Sequence, residues 1–166
     1  MDNWLIWLGP DLFHTNDDLH PWLAIDLLTT HKVYKVDIFP RKNCCASRTK
    51  DITVRVGNTK PCAAGTNGDT LFTSNSVCGT YLGPAMQGEI SSVICSAVRT
   101  GRYVTLQRTS MELMAINFAE VVIDSTPVDS SKMTVFMKRD KAGSNQQCPK
   151  TYPYAFAGGY KCCQTY

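Results

Sequence analysis

Two adjacent cysteines, Cys44 and Cys45, lie between two arginines, Arg41 and Arg48. A disulfide between neighbouring residues closes a small strained ring, which forces a tight turn and presents a rigid apolar sulfur surface. Arginine side chains are planar, permanently charged hydrogen-bond donors. An apolar knob between two such donors suits a small amphipathic ligand, such as a sugar with one methyl-bearing face. The alternative is that each cysteine is bonded to a different part of the chain.

The chain has eight cysteines in 166 residues, which favours an oxidising compartment. Structural zinc would require C-x2-C or Cys/His knuckles, and neither Cys44-Cys45 nor Cys162-Cys163 has that spacing. We therefore expect a secreted, extracellular protein. The apolar segment at residues 4–10 is too short and too weakly flanked by basic residues for a typical signal peptide. This disagreement would be explained if the chain were a fragment of a longer secreted precursor, or if its start were misassigned.

Composition excludes several classes of protein. The net charge of +3 is small, and its lysines and arginines are scattered, so the chain does not have the basic patch of a nucleic-acid-binding protein. No apolar run approaches the roughly 18 residues of a membrane-spanning helix, so we expect no membrane insertion. The sequence also lacks a Ser-His-Asp order, paired loop carboxylates and a phosphate-cradling glycine loop, so we expect no enzyme.

Short apolar or alternating segments separated by turn residues predict an all-β sandwich. In the clearest segment, Ile52, Val54 and Val56 point to one face. No segment has a sustained helical stripe, and residues 57–80 are predicted to be a long surface loop. The predicted strands are 22–27, 32–39, 51–56, 89–95, 102–106 and 115–123.

The domain is predicted to end at residue 123, because the next residues are typical of a linker. This division gives a domain at residues 1–123, a linker at 124–147 containing a further candidate strand at 133–137, and a Cys-rich tail at 148–166. The tail is too small to bury a core of its own, so we expect a disulfide to stabilise it. The sequence leaves open the pairing of Cys62, Cys148, Cys162 and Cys163.

Several motifs together resemble the F-type lectins, or fucolectins, over about residues 11–123. The family motif is a histidine, 26 residues, Arg-x-Asp, four residues and a basic residue. In this sequence 26 residues separate His14 from Arg41, and four separate Asn43 from Arg48. The other matching segments are His14-Thr15, Pro21-Trp22, Ile25-Asp26-Leu27, Val54-Arg55-Val56-Gly57, Cys78-Gly79 and Gly101-Arg102-Tyr103-Val104.

The resemblance implies a discoidin-like jelly-roll β-sandwich that binds terminal L-fucose on glycans, in innate recognition or agglutination. His14, Arg41 and Arg48 would donate hydrogen bonds to the sugar, and the Cys44–Cys45 ring would pack on it. It also implies a second disulfide, Cys78–Cys95. Shallow sites of this kind bind weakly one at a time, so several sites per particle, as in a homo-oligomer, would strengthen binding.

The sequence departs from the family pattern in three ways. Asn43 replaces the motif aspartate, and an amide braces an arginine more weakly than a carboxylate does. Leu12 and Ala119 replace two cysteines that form a disulfide in the family. Of the structural calcium site, Glu120 remains, with Asp2, Asn3 and Asp11 as the upstream acidic or amide residues.

These departures leave a second hypothesis open, a jelly-roll adhesion module that has lost fucose binding and engages a protein or another glycan. Outside the motif, His20 and His31 are predicted to be surface residues. Arg55 and Arg102 are predicted to face solvent or to pair with carboxylates.

Overall fold

The computed structural model describes residues 12–61 and 71–128 and the backbone of residues 155–157. Within these residues no helix is long and apolar enough to span a membrane. Among the residues that the structure describes, the one helix is a short 3-10 turn, η1, at Ala46–Arg48. The strands are β1 (Phe13–His14), β2 (Trp22–Phe39), β3 (Ile52–Gly57), β4 (Ser76–Tyr81), β5 (Ser91–Arg108), β6 (Asn117–Phe118), β7 (Glu120–Pro127) and β8 (Ala155–Ala157).

The strands form two antiparallel sheets, which confirms the predicted all-β jelly-roll sandwich. The larger sheet has the order β4-β3-β5-β2-β7, with β8 paired to the first half of β2, while β1 and β6 form a separate pair. One long strand, β2, replaces the two strands predicted at 22–27 and 32–39. Another, β5, replaces the two predicted at 89–95 and 102–106. The register between these long strands, β2 and β5, shifts between Asp26 and His31, so each has two halves with different neighbours.

Alternating side chains build the core, as the pattern in β3 predicted. Ile52, Val54 and Val56 are at most 1% exposed, while Arg55 points away from them and donates to the Asn75 carbonyl at 3.0 Å. Burying each such aliphatic side chain contributes about 1.5–3 kcal/mol. The other fully buried members of this cluster are Val33, Val36, Ile38, Cys78, Val104, Leu106, Ile116 and Phe118.

The prediction of a loop over residues 57–80 was wrong in its last part. There β4 begins at Ser76, and only its Cys78 is fully buried. β7 continues past Ile123 to Pro127 and pairs with β2 along its whole length. The candidate strand at 133–137, Cys62 and the tail cysteines lie outside the described residues, and the domain boundaries remain predictions.

Two histidines that were predicted to lie on the surface are buried. His20 is 5% exposed and His31 is 9% exposed, and the His31 ring contacts the Ser125 hydroxyl at 3.1 Å. Ile94, an apolar residue of β5, is 73% exposed. Local polarity does not determine burial at these positions, because the burial of each side chain depends on which strand lies alongside it.

An ion pair stabilises the end of the sandwich where β2 changes neighbours. Arg102 donates to both carboxylate oxygens of Asp26, at 2.6 and 2.7 Å. The same carboxylate accepts the Leu28 N–H at 2.8 Å, and Leu28 has a positive φ of 65°. The prediction that Arg102 pairs with a carboxylate is therefore confirmed, and the bidentate geometry is the strong form of this interaction.

The β1–β6 ladder pairs Phe13 with Phe118 and His14 with Asn117. One further step of the same register brings Leu12 opposite Ala119. These are the two positions where the F-type lectin pattern has a disulfide. In this chain the two positions are therefore occupied by apolar residues in place of the two cysteines.

We expect the double variant Leu12→Cys/Ala119→Cys to form a disulfide and to raise the free energy of unfolding by about 2–4 kcal/mol, because the bond closes a long loop in the unfolded chain. Urea titration with and without reductant measures the gain. As a control, Phe13→Cys/Ala119→Cys places the two thiols out of register and should give no gain. Equal unfolding midpoints for the oxidised and reduced double variant would contradict the register.

Candidate functional site

Four connections meet at one end of the sandwich. The register places Ile38, at the end of β2, opposite Ser91, at the start of β5. It also places Ile52, at the start of β3, opposite Arg108, at the end of β5. Backbone hydrogen bonds join these connections, from the Asp51 N–H to the Leu82 carbonyl, from Thr109 to Asp51 and from Met114 to Asp18, at 3.0, 2.9 and 3.2 Å. All the predicted sugar-contacting residues lie at this end.

Arg48 is held by the turn that follows the paired cysteines. Cys44 and Cys45 are joined by a disulfide, and Cys45 has a positive φ of 62°. The Arg48 N–H donates to the Cys45 carbonyl at 3.1 Å, and the buried Ala46 anchors η1. The turn leaves the arginine side chain partly exposed beside the sulfur ring.

His14 reaches Arg48 from β1. The Arg48 Nη1 lies 3.0 Å from the His14 Nε2. Arginine can only donate, so Nε2 is the acceptor and the proton of the neutral ring is assigned to Nδ1. This contact links two residues that are 34 positions apart in the sequence, and it was not predicted.

Arg41 is the most buried of the three predicted donors, at 6% exposed. Its Nε donates to the Asn43 Oδ1 at 3.1 Å. Asn43 therefore orients the guanidinium through its amide oxygen, at the motif position that carries a carboxylate in F-type lectins. A neutral acceptor makes this bond weaker than a charge-assisted one.

The electrostatics of His14 reflect this clustering. Burial lowers the pKa of His14 below its ordinary value of 6.5, and the positive charges of Arg48 and Arg41 lower it further. The Thr15 backbone and the Asp17 carboxylate act in the opposite direction. His14 is therefore neutral at pH 7, which keeps Nε2 able to accept from Arg48.

Ligand binding is expected to weaken as the pH falls below 6.5 and through the lowered pKa of His14, because protonated Nε2 repels Arg48. The unfolded chain binds more protons than the folded chain over this range, so stability also falls. His31, whose pKa burial also lowers, contributes in the same direction to stability but not to the site. Binding and unfolding measured between about pH 5 and pH 8 test this. His14→Asn should bind weakly with a flattened pH profile, and an unchanged profile would contradict it.

Further polar residues support the site and were not singled out from the sequence. Thr49, fully buried, places its hydroxyl 3.4 Å from the carbonyl of Asn117, the residue opposite His14. Lys50 forms an ion pair with Glu112 at 2.6 Å. Glu112 also accepts from the fully buried Arg108. The only sequence signal was the spacing of four between Arg108 and Glu112, which carries no weight outside a helix.

The predicted calcium site is not assembled by the described residues. Glu120 is exposed, and the described parts of the chain hold no group of three or more His, Cys, Asp or Glu side chains arranged for a metal ion. Asp2, Asn3 and Asp11 lie outside the described residues. A single exposed carboxylate is too few ligands for calcium, so the calcium site remains a prediction.

The structure is a β-sandwich with a histidine and two arginines gathered at one end. The chain belongs to the NedA-like, galactose-binding F5/F8 type C domain family, whose sequence model matches residues 9–106. Membership in this family of binding domains agrees with the prediction that the matched domain is not an enzyme. The disulfides Cys44–Cys45 and Cys78–Cys95 are both present in the structure.

Comparison with individual proteins confirms the resemblance to F-type lectins. Fucolectin-5 of Anguilla japonica is 31% identical over 108 residues, which are 65% of this chain and 52% of that protein. A pentraxin fusion protein of Xenopus laevis is 28% identical over 123 residues, 74% of this chain and 27% of that protein. The chain thus spans about half the length of the fucolectins it matches.

A solved structure shows that the fold is shared. The fucolectin from striped bass (Morone saxatilis) serum superimposes with a TM-score of 0.59 at 20% identity, covering 76% of this chain and 43% of that one.

Proposed function

We propose that the chain is a lectin that binds terminal L-fucose on glycans through His14, Arg41, Arg48 and the Cys44–Cys45 ring. The observation that carries the proposal is the convergence of His14 and Arg48, 3.0 Å apart, beside the vicinal disulfide. A neutral sugar needs fixed donors for its hydroxyls, and a guanidinium does not lose its proton. The apolar sulfur surface suits the methyl group that distinguishes fucose from most hexoses.

Discrimination in such a site comes from fixed donors. A sugar that lacks the matching hydroxyl leaves a guanidinium N–H without a partner, which costs more than the bond itself contributes. A shallow site of this size binds one sugar weakly, so effective recognition needs several copies on one particle. We accordingly propose a secreted protein, assembled as a homo-oligomer, that agglutinates fucosylated cells or takes part in innate recognition.

Retention on fucose-agarose and elution by free L-fucose test the proposal. We expect elution by L-fucose and none by D-glucose at the same concentration. Arg55→Ala is a matched control, since it removes an arginine of β3 that lies away from the site and donates to the Asn75 carbonyl. Retention that L-fucose fails to compete would contradict the proposal. Repeating the measurement with a calcium chelator tests the proposed structural calcium separately.

Asn43→Asp is expected to strengthen fucose binding about fivefold, because a carboxylate holds the Arg41 Nε by a charge-assisted bond about twice as strong as the present one. Calorimetric titration with L-fucose measures the change. Ser47→Asp, at an exposed neutral position of the same turn, changes the net charge by the same amount and serves as the control. An equal gain in both variants would show a general charge effect and not bracing of Arg41.

A further inference from the structure

The connection at residues 109–116 touches both segments that carry the donors. At its start, the Thr109 N–H and hydroxyl donate to the Asp51 carbonyl, at 2.9 and 3.1 Å. At its end, the Ala115 N–H donates to the Asp17 carboxylate at 2.7 Å, and Ile116 pairs with Thr15. Asp51 follows Arg48 closely in the chain, and Thr15 follows His14. The connection therefore spans the two sides of the donor cluster.

Glu112 lies at the centre of this connection and holds it by charge. Its carboxylate accepts from Lys50 at 2.6 Å and from the guanidinium of Arg108. Arg108 is 0% exposed, so its charge is removed from water. Its Nε donates to the Ser110 hydroxyl and its Nη2 to Glu112, while its buried Nη1 has no hydrogen-bond partner. A buried guanidinium without its carboxylate is strongly unfavourable, so Glu112 is fixed in place from one side.

Lys50 connects Glu112 to the backbone of Arg48. The Lys50 N–H donates to the Arg48 carbonyl at 3.1 Å, and the intervening Thr49 is fully buried. Displacement of Lys50 would move the backbone that carries the guanidinium of Arg48. The chain of contacts thus runs from buried Arg108 through Glu112 and Lys50 to the donor that meets His14.

We propose that Glu112 is a positioning residue of the sugar site, which fixes Arg48 against His14 through its ion pair with Lys50. The proposal rests on the proposed function for its sugar readout but not for its geometry. Hydrogen bonding from Lys50, together with the charge of Arg108, lowers the pKa of Glu112, so the carboxylate stays charged at physiological pH. Glu112 does not contact His14, Arg41 or Arg48 among the described hydrogen bonds, and it acts through the backbone.

A double-mutant cycle tests the coupling. We expect Lys50→Gln and Glu112→Gln each to lower L-fucose affinity by about three- to tenfold, with the double variant no weaker than the weaker single variant, as for residues in direct contact. Asp26→Asn is the matched control, because it breaks another carboxylate–guanidinium pair where β2 changes neighbours, and it should leave the affinity unchanged. Additive losses, or singles with unaltered affinity, would overturn the proposal.

A second readout does not need the sugar. Loss of the ion pair between Lys50 and Glu112 releases Arg48 from His14, so the pKa of His14 measured by NMR should rise toward 6.5 in Lys50→Gln. Lys50→Gln leaves Arg108 paired with Glu112, so it still tests the positioning role if Glu112→Gln does not fold. A chain that binds no fucose but shows this rise refutes the proposed function and supports the positioning role. An unchanged pKa of His14 refutes the positioning role whether or not fucose binds.

Discussion

Arg48→Ala is expected to lower the affinity for L-fucose about 100-fold, because each hydrogen bond from a charged donor contributes about 1.5–3 kcal/mol. The variant removes the donor that meets His14 at 3.0 Å and so also frees the histidine ring. Isothermal titration with L-fucose, or competition on fucose-agarose, measures the loss. The backbone of η1 does not depend on the side chain, so the unfolding midpoint should change little.

Arg48→Lys separates the charge of Arg48 from its shape. Lysine keeps one positive charge but lacks the planar fork, so we expect an affinity between those of the native chain and the alanine variant. Arg55→Ala removes a guanidinium of β3 that donates to the Asn75 carbonyl, and it should bind like the native chain. If Arg48→Ala bound within about twofold of the native chain, the proposed sugar site would be wrong, since a lost charged bond costs more than that.

The site residues that could be predicted from the sequence are those whose positions follow from their spacing along the chain. Arg41, Asn43 and Arg48 lie within one turn, so their proximity follows from the chain itself. His14 was recognised because the 26 residues between it and Arg41 match the spacing of the F-type lectin motif. The fold followed similarly from alternation, as with Ile52, Val54 and Val56 in β3.

The unpredicted part depends on contacts between distant segments. Lys50 and Glu112 come together only because β3 and β5 are neighbours, and no local pattern indicates this pairing. The buried Arg108 follows apolar residues on the same face of β5, where a strand pattern would place another aliphatic side chain. The burial of His20 and His31 has the same origin, since only the packed sheets show which polar residues the connections cover.

Phe118→Ala is expected to lower the free energy of unfolding by about 3–5 kcal/mol, the usual cost of emptying a fully buried aromatic site. Phe118 is 0% exposed, and its ring stacks on Phe13 with centroids 5.8 Å apart and planes at 15°. Such a pair contributes beyond the area that it buries. Urea unfolding followed by the fluorescence of buried Trp22 reports the loss.

The same substitution should also weaken the sugar site, because Phe13 directly precedes His14 on the two-residue strand β1. Ile116→Val provides a graded control, since removal of one methylene from another fully buried residue costs about 0.5–1.5 kcal/mol. We expect fucose affinity to fall in Phe118→Ala, measured where that variant is still folded, and to remain unchanged in Ile116→Val. A stability loss below about 1 kcal/mol for Phe118→Ala would show that the β1–β6 ladder is not part of the cooperative core. His14 would then be held by its bond to Arg48 and not by the strand.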